Sequence, residues 1–353
     1  MAPLDPPADA ARWLCNLCAG EGEPPGPRVH GHAVLRIAEL HRLAERAGSR
    51  LVTLSPLGED PPAWSDALVS SWRRGLGEEA LWGELLGRCR SEATRRGLPV
   101  VVLKGADIAR RLYGPGERVH NDLDLLVEGE RLAEADAMLR TIGLEPDHPE
   151  PRLSLTHWFA TTYRDLRRPR RQVDLHWGLG PRGRVAWDTP RVIARSRRHE
   201  RLEGLRRLDA FDALVHLGLH AVAFHGASGR WIWWLDLHLA AAAAAGREAE
   251  IVSRAEEAGG SVALEAALAR ADDLFGSARR SRRSVPCSRR AGIISRIGAA
   301  SEGERAGRRS DRLRRWVVAA LAVDRPASLG TVFWDVARRE LSRRREPATR
   351  SVT

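Results

Sequence analysis

Lysine is almost missing from this 353-residue chain: Lys104 is the single lysine, and the rest of its 57 basic side chains are arginine. Cysteine is scarce too. Four scattered cysteines exclude a disulfide framework and fit a reducing compartment. No Walker A sequence occurs, so any phosphate must be bound by another route. The opening stretch MAPLDPPADAARW lacks a basic region and an apolar run, so it does not read as a signal peptide. The longest apolar stretch, WIWWLDLHLAAAAAAG, carries Asp236 and His238 and falls short of the roughly 20 residues needed to span a bilayer. A cytoplasmic protein with no membrane partner is expected. There is no internal repeat.

What is present is an ordinary hydrophobic fraction, 43%, enough for one large domain or several small ones. The formal net charge of +11 suggests nucleic acid at first sight. Its distribution argues otherwise. Residues 276–353 hold 20 arginines against 7 acidic residues, which leaves 37 basic and 39 acidic residues over 1–275. Nucleic acid is therefore not expected at the body of the chain, and only the basic tail offers it a surface.

Residues 1–97 read as a helical segment, with apolar residues at helical spacing in 28–48 and 62–97 divided by SPLGEDPP. The pattern changes at 98. LPVVVLK reads as a buried strand, ADIARRLY as a short helix, GPGE as a turn and LDLLV as a second strand. An amphipathic helix ending at Gly143 follows, then strands around THWFATTYRDL and RQVDLHW joined by an arginine-rich turn, RRPRR. This predicts an α/β core over 98–190. Residues 191–275 open with a hairpin turning at Glu203-Gly204 and continue as helices. Residues 276–353 form an Arg-rich tail with two helices, RLRRWVVAALAV and TVFWDVARRELSRRR. The fold class expected is α+β, a small mixed sheet flanked by N- and C-terminal helical segments.

Asp122 and Asp124 stand two apart on a predicted strand, so both share one face while Leu123 and Leu125 take the other. Carboxylates that close repel each other, and burial is costly unless a cation sits between them. Mg²⁺ suits one or two carboxylates combined with phosphate oxygens. Asp174 repeats the pattern in Val173-Asp174-Leu175-His176-Trp177. If its strand lies beside LDLLV, three carboxylates come together, enough to hold two divalent ions for displacement at phosphorus. A solvent-facing pair and an arginine-paired Asp174 are the plainer readings.

Taken together, LKGA at 103–106, Leu112-Tyr113, Arg118, DLDLLV at 122–127 and VDLHW at 173–177 resemble the polymerase-beta-type nucleotidyltransferase superfamily. More narrowly they resemble its uncharacterised bacterial nucleotidyltransferases, over roughly residues 30–275. The resemblance implies transfer of a nucleoside monophosphate from an NTP to an acceptor with release of pyrophosphate. It implies Mg²⁺ or Mn²⁺ on Asp122, Asp124 and Asp174, with Asp174 also orienting or deprotonating the acceptor. It places Lys104, Gly105 and Arg118 at the nucleotide, Arg118 either on phosphate or anchoring its loop. His176 and His220 are candidates for an acceptor pocket. The acceptor could be a small molecule, a peptide or a protein side chain. Two departures favour an alternative, a nucleotide-binding or regulatory protein without turnover: Ala106 replaces the superfamily's Gly or Ser, and Asp107 adds a negative charge near the phosphates.

Other patterns carry less. Gly178-Leu-Gly180-Pro-Arg-Gly183 matches G-x-G-x-x-G, but no helix is expected to open there, because Pro190 would end it early. His216 and His220 have zinc-like i, i+4 spacing without an evident third ligand and read as core histidines. Cys15 and Cys18 form C-x-x-C on a helix, the wrong context for a redox turn.

Overall fold

The computed structural model describes residues 8–22, 29–54, 63–147, 159–181, 185–276, 288–301, 309–324 and 330. Among the described residues four helices come first: α1 (Ala8–Ala19), α2 (Gly31–His41), α3 (Ala44–Leu54) and α4 (Ser65–Arg96). Arg42, in the left-handed region at φ 59°, separates α2 from α3 within what reads as one periodic run. Gly97 ends α4 at φ 61°, a conformation that glycine adopts without a Cβ penalty.

The core then alternates: β1 (Val101–Val102), α5 (Lys104–Leu112), β2 (Asp122–Leu126), α6 (Leu132–Thr141), β3 (Leu144–Pro146), β4 (Ala160–Asp165) and β5 (Arg168–His176). A short helix α7 (Thr189–Arg195) and a hairpin of β6 (Arg197–Arg198) and β7 (Arg206–Arg207) follow. Gly204, at φ 85°, makes the expected turn between them. The seven described strands form one mixed sheet in the order β3-β4-β5-β2-β1-β7-β6. The pairing β2–β5 is parallel, β1–β2 and β4–β5 antiparallel, and β7 extends the sheet parallel to β1. The expected α+β class, a mixed sheet between helical segments, is what the chain forms.

The remaining helices are α8 (Ala210–Leu219), α9 (Trp231–Ala243), α10 (Glu248–Ala258), α11 (Ser261–Phe275), α12 (Arg289–Ser301) and α13 (Arg309–Leu321). None of the described helices is long and apolar enough to cross a membrane. The second tail helix expected from the sequence lies outside the described residues, as do parts of THWFATTYRDL and of the glycine-rich stretch.

Period 2 decides which face of the sheet is dry. Leu123, Leu125, Val173 and Leu175 pack with Trp82, Leu86 and Cys89 of α4 and with Met138 and Leu139 of α6. The opposite face carries the aspartates. A second core gathers α1–α3 with α8–α11 and takes Ile108 and Tyr113 from the α5 side.

Three local expectations are corrected. RRPRR is mostly strand: the turn is Leu166-Arg167, and the β4–β5 register slips between Arg164 and Asp165, an irregularity where Pro169 is tolerated. Pro190 opens a helix and does not end one. It sits in the first turn of α7, where the missing N–H costs nothing, behind Asp188 as N-cap. The run AFDALVHLGLHAVAFHG is not one α-helix, because α8 gives way to a π-helical turn at His220–Phe224. Such turns often occur at functional sites.

Candidate active site

The candidate site forms where the end of β1 turns into α5, over the polar face of β2 and β5. Leu103 is extended and its amide bonds to the Asp124 carbonyl at 2.9 Å. Lys104 then takes φ 42°, the left-handed region, which costs a residue with a Cβ on the order of 1 kcal/mol. That conformation stops β1 after two paired residues, shorter than LPVVVLK suggests, and starts α5 beside the carboxylates. The first turn of α5 has no side-chain cap, so its amides are available to an anion.

Gly105 has a packing role. A Cβ built there would lie 2.9 Å from Cβ of His120. The His120 ring rests on Trp82, centroids 4.5 Å apart, and its Nδ1 donates to the Asp122 carbonyl at 2.8 Å. Burial pushes its pKa down to about 3, so the ring is neutral.

Across three adjacent strands, Asp124, Asp174 and Thr162 stand opposite one another in register. Asp124 is 3% exposed and accepts from Lys104 Nζ at 2.7 Å and from His176 Nε2 at 2.9 Å on the same oxygen. Asp174 is half-buried and accepts from the Thr162 hydroxyl at 2.7 Å. Donor atoms of Asp124, Asp174 and His176 all lie within 4.8 Å of one another. Asp122 stands outside that group, at the half-buried start of β2.

Burial alone would raise the Asp124 pKa; Lys104 and His176 outweigh it and hold the carboxyl well below the usual range. The Asp122 pKa is raised, by burial first and then by Asp124, against the pull of Lys104. Burial works against the charge on Lys104, but Asp124, with Asp122 and Asp174 behind it, raises its pKa. The ammonium thus sits among three carboxylates.

Arg118 lies elsewhere. Its guanidinium forks onto Asp236 of α9, Nε to Oδ1 at 3.0 Å and Nη2 to Oδ2 at 2.9 Å, while Nη1 donates to the Val119 carbonyl at 2.6 Å. The Tyr113 hydroxyl donates to the same carboxylate at 2.7 Å. Arg118 therefore anchors the loop between α5 and β2. Asp107 is also accounted for: Arg111, one helical turn on, holds both of its oxygens at 2.7 and 2.8 Å. Its charge is paired within α5.

His216 and His220 project from α8 and the π turn. His216 is pushed down to about 3 by burial and then by Lys104, and His220 well below its ordinary value by the same causes in the same order. Their rings are 6.5 Å apart, and the His220 ring packs on His225 at 4.4 Å and Trp233 at 5.1 Å. Among the described residues, no three-ligand group includes them. Cys15 and Cys18 are buried in α1 without a disulfide, and burial raises the Cys18 thiol to about 12. The residues missed by sequence reading are Thr162, one strand over from Asp174, and the Asp236 clamp. Only Thr162 left a signal, through alternation in its own strand.

The profile of the family described as "Uncharacterised nucleotidyltransferase" matches residues 27–276. The chain belongs to this family. It is thus a member of a family of nucleotidyl-transfer enzymes, and the matched span includes every side chain placed at the candidate site above. Among solved structures, the nucleotidyltransferase is similar to a crystal structure of ANT(2")-Ia in complex with adenylyl-2"-tobramycin. The two share 17% identity over 49% of this chain and 95% of that one, with a TM-score of 0.36. It is similar as well to a solution structure of the antibiotic-resistance factor ANT(2'')-Ia, at 17% identity over 50% of this chain and 91% of that one, with a TM-score of 0.37. A search of curated proteins finds no match.

Proposed function

We propose that this protein transfers a nucleoside monophosphate from an NTP to an acceptor nucleophile, with a divalent cation held by Asp122, Asp124 and Asp174. The observation that carries the reading is the in-register pair Asp124 and Asp174 on adjacent parallel strands, facing an uncapped helix start and the single lysine.

The donor set fits a hard divalent ion. Asp124 and Asp174 bring oxygen donors within reach of one another, and Asp122 adds a third carboxylate at the open end. Mg²⁺ suits such oxygens, and Mn²⁺ would also accept the imidazole of His176. When bound, the metal would neutralise charge on the triphosphate and on the departing pyrophosphate.

The chain's own residues supply the rest. Free amides at the start of α5 bind phosphate oxygens, aided by the helix dipole. Lys104 adds a compact charge. Asp174, oriented by Thr162, takes the proton of the acceptor as its oxygen or nitrogen bonds to the α-phosphorus. The bond from that phosphorus to the bridging oxygen breaks, and pyrophosphate leaves. His176 orients Asp124, and in this reading His176 and His220, the latter packed on His225 and Trp233, face the acceptor. The acceptor is a small molecule, a peptide or a protein side chain.

The test is incubation with α-labelled NTPs, Mg²⁺ or Mn²⁺ and an acceptor panel. Label should appear on an acceptor or on the protein and fall by at least about a thousandfold in an Asp122→Asn/Asp124→Asn variant. Metal-dependent NTP binding without transfer would support the binding-only reading. Asp107, one of that reading's two grounds, is ion-paired with Arg111.

A further inference from the structure

We propose that Lys104 is the resident counter-ion of the carboxylate cluster, and that the nucleotide must draw it off Asp124 before a divalent ion can settle there. Metal and nucleotide then load together, and free metal binds poorly. The inference rests on the metal-and-NTP reading of the site and adds an order of loading to it.

The geometry is direct. Lys104 Nζ lies 2.7 Å from Asp124 Oδ1, the oxygen also used by His176, and that carboxylate is almost fully buried. Asp122 and Asp174 act on the same ammonium. A divalent ion binding Asp124 would meet this charge at close range. The two cations cannot share the oxygen without strong repulsion.

Three features distinguish an exchangeable counter-ion from a fixed structural pair. The residue type is the first. Every other basic residue in the chain is arginine, whose planar fork would grip both oxygens of a carboxylate, whereas an ammonium is a point charge on a flexible stem. The second is backbone strain: Lys104 is held at φ 42°, where the turn aims it at Asp124 from the first residue of α5. The third is a destination. The uncapped amides at that same helix start are where a triphosphate would bind, so the ammonium can exchange a carboxylate for a phosphate within one side chain's reach.

The lone lysine makes the test clean. Protein grown with lysine labelled at the side-chain nitrogen gives one ammonium signal. Mg²⁺ alone, at a concentration that saturates in the presence of a methylene-bridged NTP analogue, should leave that signal in place. Mg²⁺ with the analogue should move it. In calorimetry, the analogue should tighten Mn²⁺ binding to the native protein by about tenfold or more. In Lys104→Met, Mn²⁺ alone should bind about tenfold tighter than to the native protein, and the coupling to nucleotide should shrink correspondingly. If Mg²⁺ alone carries the signal to the same endpoint, the counter-ion role is wrong. If the native protein binds Mn²⁺ equally with and without analogue, it is wrong again, whether or not the variant folds. If the native protein binds neither metal nor analogue, the underlying reading of the site fails and this inference fails with it.

Discussion

Asp236 is a buried carboxylate on which an arginine and a phenol converge. It takes the Arg118 fork and the Tyr113 hydroxyl while only 2% exposed. Burial drives the Tyr113 pKa up, and the Asp236 charge drives it further, so the phenol stays a donor. Taking such a pair out of water is costly, and removing one partner strands the other. Asp236→Asn should therefore lower the unfolding free energy by about 3 kcal/mol in urea titrations at neutral pH. Combining it with Arg118→Met should cost less than the sum of the two single changes, because the stranded charge is gone. A loss near zero for Asp236→Asn would mean that the clamp is not buried as described. The clamp also gives Arg118 its role. With all three nitrogens engaged, it fixes the loop that leads through His120 to Asp122, and it has no free hydrogen on Nε for a phosphate.

The element that matters most is α5, whose start is packed against His120 as tightly as a glycine allows. Gly105→Ala would press a methyl into the His120 Cβ, and His120 is wedged between Trp82 and the Asp122 carbonyl. The substitution should cost about 1–3 kcal/mol of stability and weaken metal-dependent nucleotide binding, both measurable on one preparation. Adding His120→Ala should recover part of the stability but not the binding, since Asp122 loses its support. The sequence pattern exposed this region unevenly. D-x-D and the apolar-Asp-apolar strand were legible, because an aspartate alternating with apolar residues shows its face by period 2. The register that sets Asp124 opposite Asp174 was not, since it depends on pairing between strands 50 residues apart. Asp107 and Arg111 were readable in principle as an i, i+4 pair. Arg118 and Asp236, separated by 118 residues, leave no local trace. Pro190 and RRPRR misled for a shared reason: proline marks a position that needs no N–H, and whether that is a break, a helix start or a bulge is decided by its neighbours.

At the scale of the whole molecule, the basic excess and the histidines have different consequences. The excess sits in the tail, yet α12 and α13 are packed elements: a Cβ at Gly226, beside the π turn, would meet Arg315 of α13 at 2.7 Å. The histidines are spread through the core. Burial lowers His41 to about 4, and His120 and His216 to about 3, from an ordinary 6.5. They sit in α2, in the loop before β2 and in α8, so the effect belongs to the fold rather than to one region. In the folded chain each ring stays unprotonated until pH approaches its lowered value, while the unfolded chain binds a proton below about 6.5. The unfolded state thus binds more protons across that window, and stability must fall as pH falls. Each ring contributes up to about 1.4 kcal/mol per pH unit. Asp122 has the opposite sign: its raised pKa lets the folded state hold a proton longer, which offsets part of the loss at the acid end. Unfolding free energies should therefore be level above about pH 6.5 and drop steeply between about 6 and 4. His120→Asn, which keeps an amide to donate to the Asp122 carbonyl, should make that slope shallower by up to about 1.4 kcal/mol per pH unit. A flat profile from pH 7 to 4 would show that these rings are protonated or exposed in the folded protein.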